Sequence, residues 1–202
     1  IDRLLSSRLE ENLLGSGAVA KVYQVDGAPG ICVKVVENET NYKQGNTVFQ
    51  ESQFLEDLGD FEVEGVRTPH FIQCFSGIRL NAIVMEEVNG STLEQIMNGD
   101  EEMPEEFVFE DFFDRLKKYF EALHEKNIFH LDIAPRNIMV DRATGLPVVI
   151  DFGRGKQYDF SEDVLLEPEK DYAGLMAVRS EIKAFLDGKR SMKRRTIDRS
   201  SI

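Results

Sequence analysis

The residues from His130 to Gly153 constrain this chain more than any others. They read HLDIAPRNIMV, then a short turn, then VVIDFG. Two apolar runs, Ile138 to Val140 and Val148 to Ile150, predict a hairpin that turns across Asp141 to Pro147. Asp132, Asn137 and Asp151 stand around its edges. A carboxylate, an amide and a second carboxylate so spaced suit a hydroxyl proton acceptor and a site for magnesium, which takes oxygen ligands.

A length of 202 residues gives one domain, or two small lobes sharing an interface. Such a chain buries roughly 70% of its unfolded surface, enough for a sizeable core. No apolar run approaches the 18 or so residues of a membrane span, and no Gly/Ser-rich or Pro-rich linker or internal repeat divides the chain. It opens at Ile1 rather than Met, so any targeting segment is expected to lie outside it. Cys32 and Cys74 fall in apolar strand-like runs, as buried free thiols would. The net charge of −13 argues against general nucleic-acid binding. Asp100 to Asp114 holds eight acidic residues and no basic ones, and is expected to be a solvated loop and helix start. Lys189 to Arg199 holds six basic residues and one acidic one. That block reads as a frayed tail, with a contact for an acidic partner or a phosphate as the alternative.

The front half has its own constellation. Gly15, Ser16 and Gly17 lie between two apolar strands, where a glycine turn lets backbone N–H groups approach phosphates. In ICVKVV, from Ile31 to Val36, a period of two puts Cys32, Lys34 and Val36 on one face. A lysine within an apolar strand is costly unless it finds an anion. In Thr47 to Leu58, Thr47 and Gln50 spell a T-x-x-Q capping box. Val48, Glu51, Leu55 and Leu58 then form one helical stripe, so Glu51 is expected to point inward and Glu56 is not. A buried carboxylate and a buried lysine ask for each other.

These strings resemble the protein-kinase superfamily. HLDIAPRN and DFG are similar to H-R-D-x-x-x-x-N and D-F-G. The resemblance covers residues 13 to about 186. It implies an α+β, bilobal fold with an antiparallel-sheet N-lobe (about 1–88), a reduced helical C-lobe (about 89–188) and a basic tail (189–202). It implies ATP and Mg2+ as cofactors. Gly15, Ser16 and Gly17 would cradle phosphates, although Ala20 stands in the third glycine's place, and Val22 would cover the adenine. Lys34, held by Glu51, would fix the α- and β-phosphates. Met85 takes the gatekeeper position in AIVMEEVNGSTL, and backbone groups of Glu86 and Val88 would bond the adenine. Asn137 and Asp151 would hold magnesium, and Asp132 would orient the acceptor hydroxyl and take its proton.

Phe107 to Lys126 predicts a long amphipathic helix, with Phe109, Phe112, Leu116, Phe120 and Leu123 on its core face. His124 and His130 are expected to be structural, and His70 to mark a strand entrance. Asp171 to Leu186 reads as a helix whose DYAGL start resembles the kinase helix that braces the catalytic loop; a plain N-terminal helix acid is the other reading of Asp171. The family pattern then thins out. Only 19 residues separate Asp151 from Asp171, with no A-P-E. Leu131 replaces the arginine of H-R-D, and Ala134 replaces a lysine near the γ-phosphate whose charge Arg136 could replace.

The chain therefore resembles minimal kinases. The preferred expectation is a protein kinase of the bacterial type III effector kind, an Ser/Thr enzyme secreted into a host cell cytoplasm. A host chaperone or a ubiquitin-pathway protein would be its partner. The alternatives are a cytoplasmic housekeeping kinase or ATPase of the Bud and RIO type, then a small-molecule phosphotransferase, and a non-catalytic nucleotide-binding partner module. The last is disfavoured because Lys34, Glu51, Asp132, Asn137 and Asp151 are all retained.

Overall fold

The computed structural model describes residues 12–17, 20–37, 47–158 and 167–199. Its first half is an antiparallel sheet. β1 (Leu13–Ser16), β2 (Ala20–Gln24) and β3 (Ile31–Glu37) are followed by a helix, α1 (Thr47–Leu58), and then by β4 (Phe71–Ser76) and β5 (Leu80–Glu86). The strands lie in the order β1-β2-β3-β5-β4. Alternation along β3 buries Cys32, Lys34 and Val36 on one face. There Val36 meets Val48 and Leu55 of α1 and Ile83 of β5. α1 has no acidic residue in its first turn and no basic one in its last. Burial of this stripe, worth roughly 1.5–3 kcal/mol per large side chain, is what holds it.

The second half is mostly helical. It runs β6 (Gly90–Thr92), α2 (Leu93–Asn98), α3 (Phe109–Glu125), β7 (Ile128–Phe129), β8 (Ile138–Asp141), β9 (Pro147–Val149), β10 (Lys156–Gln157) and α4 (Glu167–Arg199), with single 3-10 turns at Pro135–Asn137 and Phe152–Arg154. α3 buries Phe112, Phe113, Leu116, Tyr119, Phe120 and Leu123. These pack with Val66, Phe152 and, from α4, Leu175, Val178 and Ile182 into the larger core. β8 and β9 form the expected hairpin, with Ile138 opposite Val149, and β6 adds a third strand against β8. The close approach of β6 needs glycine: a β-carbon on Gly90 would run into the Val140 carbonyl oxygen.

The structure refines these expectations. The T-x-x-Q capping box expected of Thr47 and Gln50 rests on the Thr47 side chain, which lies outside the described residues; Gln50 Nε2 donates across the molecule to the Gly155 carbonyl. The helix expected from Asp171 to Leu186 begins at Glu167 and continues through Arg199, so the basic block rides on helical backbone rather than forming a frayed tail. Its acidic start leaves Asp171 in the second turn, where it is not an N-terminal helix acid. Strand β9 stops at Val149, but the Ile150 amide still donates to the Asn137 carbonyl at 3.0 Å, the residue opposite it in the hairpin register. The middle of the stretch between Asp151 and Asp171, residues 159–166, lies outside the described residues, as do Ala18 and Val19 of the glycine turn.

Candidate active site

Lys34 is the centre of the site. β3 carries it on the face covered by α1, and its Nζ lies 2.6 Å from Glu51 Oε2 and 3.0 Å from Asp151 Oδ1. Burial opposes the lysine's charge, but the two carboxylates outweigh it and raise the ammonium's pKa above the usual lysine value. Lys34 is therefore a fixed cation. Burial pushes the Glu51 carboxyl up, against the pull of Lys34. Asp151 goes the other way: Lys34 and the Gly153 amide offset its burial and hold it below the usual aspartate value. The Asp151 backbone is left-handed (φ 64°), which turns its side chain back toward Lys34 while Oδ1 accepts from the Gly153 amide at 3.3 Å.

The loop before β8 is braced from below. Asp171 of α4 is buried. Its Oδ2 accepts the His130 amide at 2.9 Å and its Oδ1 the Leu131 amide at 2.7 Å. Its Oδ2 also meets His124 Nε2 at 3.0 Å. Of the two readings of Asp171, the brace is the one found. Leu131 adopts a left-handed φ of 59°, a strained geometry that these two bonds support. Gly174 lets α4 come this close, since a β-carbon there would sit 3.0 Å from Ile133. His130 is structural, as expected: Nε2 donates to the Ile150 carbonyl at 3.0 Å and Nδ1 accepts the Asp132 amide at 3.3 Å. Burial lowers its pKa, so the ring is neutral.

This bracing presents Asp132. Asn137 Nδ2 donates to the Asp132 carbonyl at 2.7 Å and to its Oδ2 at 3.0 Å, so the amide oxygen of Asn137 is the group left to face a ligand. Above, Gly15 pairs with Val22, and Val22 with Lys34. A β-carbon on Gly15 would meet open space, so nothing in the described chain fills the ground over this turn. At the end of β5, the Glu86 amide donates to the His70 carbonyl at 2.9 Å, and its carbonyl receives the Cys32 thiol at 3.5 Å. The Val88 carbonyl accepts the Gly90 amide. The Glu86 side chain makes two 2.6 Å bonds with Arg67. Arg67 carried no signal in the sequence. Its carbonyl also accepts the Val149 amide, so one residue ties the end of β5 to the hairpin.

Residues 9–174 match the family described as the protein kinase domain. The chain belongs to that family. It is 32% identical over 158 residues to the putative CBL-interacting protein kinase 13 of Oryza sativa subsp. japonica, which covers 74% of this chain and 29% of the relative. It is 26% identical over 147 residues to the CBL-interacting serine/threonine-protein kinase 16 of Arabidopsis thaliana, covering 70% of this chain and 30% of the relative. The chain thus spans under a third of the length of these relatives. The structure of WbdD, solved with the kinase inhibitor LY294002, aligns with a TM-score of 0.55 at 18% identity, over 74% of this chain and 34% of that one; the likeness concerns the fold.

In the kinase domain the expected α+β architecture is present, with an antiparallel sheet above a mostly helical half. The structure brings Lys34, Glu51 and Asp151 into one cluster and Asp132 and Asn137 into another beside it. Asn137 and Asp151 offer two hard oxygen donors. No group of three or more His, Cys, Asp or Glu side chains able to hold a metal occurs among the described residues. Two protein donors suit magnesium, which keeps several positions for phosphate and water. Among those residues, no helix is long and apolar enough to cross a membrane.

Proposed function

We propose that this domain transfers the γ-phosphate of ATP to a serine or threonine hydroxyl of a protein. The observation that carries this reading is Lys34 Nζ, held between Glu51 at 2.6 Å and Asp151 at 3.0 Å. A kinase needs a cation rigidly placed for the phosphates beside a carboxylate for the metal, and Lys34 held between Glu51 and Asp151 supports that reading. Asp132, aimed by Asn137 and the braced loop, would orient the acceptor hydroxyl and take its proton. Asn137 and Asp151 would hold Mg2+, which when bound offsets phosphate charge. Gly15, Ser16, Gly17, Val22 and the backbone of Glu86 and Val88 would seat the nucleotide. The cleft would divide an N-lobe of about 1–88 from a C-lobe of about 89–188. The serine/threonine assignment draws on the relatives' names.

Purified protein with radiolabelled ATP and candidate substrates tests this. Asp151→Ala is expected to lower magnesium-dependent transfer by orders of magnitude with the fold intact. Undiminished transfer by the variant would sink the role of Asp151.

The finer reading is an effector kinase acting on a host protein, such as a chaperone or a ubiquitin-pathway component. Its support is internal to the chain. Only 19 residues lie between Asp151 and Asp171, and Leu131 stands where a phosphate-reading arginine would be. An enzyme without that switch is ready to act on delivery. Unphosphorylated protein should be fully competent. A large loss of activity after phosphatase treatment, restored by incubation with ATP, would contradict it.

A further inference from the structure

Two guanidinium groups crowd the carboxylate of Asp132. Arg136 Nη2 donates to its two oxygens at 2.8 and 2.9 Å. Arg154 Nη1 approaches Oδ1 at 3.5 Å, and Asn137 Nδ2 already occupies Oδ2 at 3.0 Å. The Asp132 side chain is 18% exposed, while those of Arg136 and Arg154 are 50% and 71% exposed. Each guanidinium carries five N–H donors. One carboxylate shared with an amide cannot satisfy them, so donors are left over at the mouth of the site. Two cations gathered there also run against a chain whose net charge is −13.

We propose that Arg136 and Arg154 form a subsite for an anionic side chain flanking the acceptor hydroxyl. The preferred substrate is then a segment with a carboxylate or a phosphate close to its serine or threonine. The inference rests on the kinase reading and on Asp132 as the group that receives the acceptor. An acceptor hydroxyl must take a lone pair of Asp132, and to make room an arginine gives up a bond. With an anionic neighbour the guanidinium replaces that charge-assisted bond by another. With a neutral neighbour it gains nothing in return. Both arginines bond Asp132 and neither bonds Glu51 or Asp151, the carboxylates that hold Lys34, which places them on the acceptor's side of the site.

The test is peptide binding by fluorescence anisotropy without nucleotide. The probes are labelled serine peptides with aspartate, phosphoserine, alanine or lysine two and three positions from the serine, on either side. The aspartate and phosphoserine arms separate the two anions. At least one of them is expected to bind about tenfold more tightly than alanine, with the gap shrinking as salt rises. In an Arg136→Gln/Arg154→Gln double variant, folded by its melting curve, the gap should fall to about twofold or less. Equal binding by the unaltered protein, or a preference that survives in the double variant, overturns the proposal. So does a double variant that loses ATP against ADP while keeping its peptide preference, since the arginines would then serve the transferred phosphate. A protein that shows the preference yet transfers phosphate to no peptide retains the subsite and sinks the kinase reading instead.

Discussion

Tyr119 is fully buried on α3 between Phe61 and Phe120, and its hydroxyl has no hydrogen-bond partner among the described residues. Burial raises its pKa well above the usual tyrosine value, so it stays a neutral phenol. A buried hydroxyl without a partner costs about 1–3 kcal/mol. Tyr119→Phe keeps the ring contacts and removes that cost. It should be neutral or stabilise by about 1 kcal/mol, a rise of roughly 2–4 °C at this chain length. Thermal melts of the two proteins check it; a comparable drop would mean that the hydroxyl is bonded. Lys34 is the opposite case, a buried polar group whose every cost is offset by a named partner. Its strand periodicity was legible. That two carboxylates rather than one would share it was not, because Asp151 arrives from 117 residues away.

The elements show the same division in one spelling that occurs twice. Thr47-Val-Phe-Gln50 and Thr92-Leu-Glu-Gln95 both read T-x-x-Q at a helix start. The second is a capping box: Thr92 Oγ1 accepts the Gln95 amide at 3.1 Å and Gln95 Oε1 accepts the Thr92 amide at 2.9 Å. In the first, the glutamine Nε2 donates to the Gly155 carbonyl, just past the turn that follows Asp151. Gly155 is wedged there, since a β-carbon would sit 3.0 Å from Phe54 of α1 and 3.1 Å from the Phe152 carbonyl. Gln50 precedes Glu51, so this bond holds α1 where Glu51 meets Lys34. Gln50→Ala leaves a part-buried carbonyl unpaired, at about 1–2 kcal/mol. Phosphate transfer should fall roughly five- to tenfold in kcat with KM for peptide little changed, as less of the protein has the pair assembled. Unaltered kcat would mean that packing alone sets α1.

Taken as one body, the protein should be acid-labile in a defined window. His130 is buried and neutral, with its pKa lowered chiefly by burial from the usual 6.5. The unfolded chain binds a proton there below about pH 6.5 and the folded chain does not. Stability is therefore complete above that value and declines as pH falls, by up to about 1.4 kcal/mol per unit. Glu51, whose carboxyl is raised by burial, has the opposite sign in the range above its usual 4.5. Asp151, held low, adds its own loss only as pH falls below its usual 3.8. Denaturant titrations from pH 7.5 to 5.5 on the protein and on His130→Asn should give a flatter profile for the variant. Parallel profiles would remove His130 as the cause.

Much of the fold and half of the site could be read along the chain. Turn chemistry, strand alternation and helical stripes are properties of a few adjacent residues, so the hairpin after Asp132, the inward faces of Lys34 and Glu51, and the core face of α3 were all legible before any contact was known. Long-range pairing decided the rest. Whether Asp171 caps a helix or braces a loop depends on how close Gly174 lets α4 come to Ile133. That Gln50 latches onto Gly155 depends on that glycine lying across the cleft. Arg67, Arg136 and Arg154 have long, flexible side chains whose partners are set by what folds up beside them. Local sequence specifies where such a side chain starts, and only the assembled fold specifies where its charge ends.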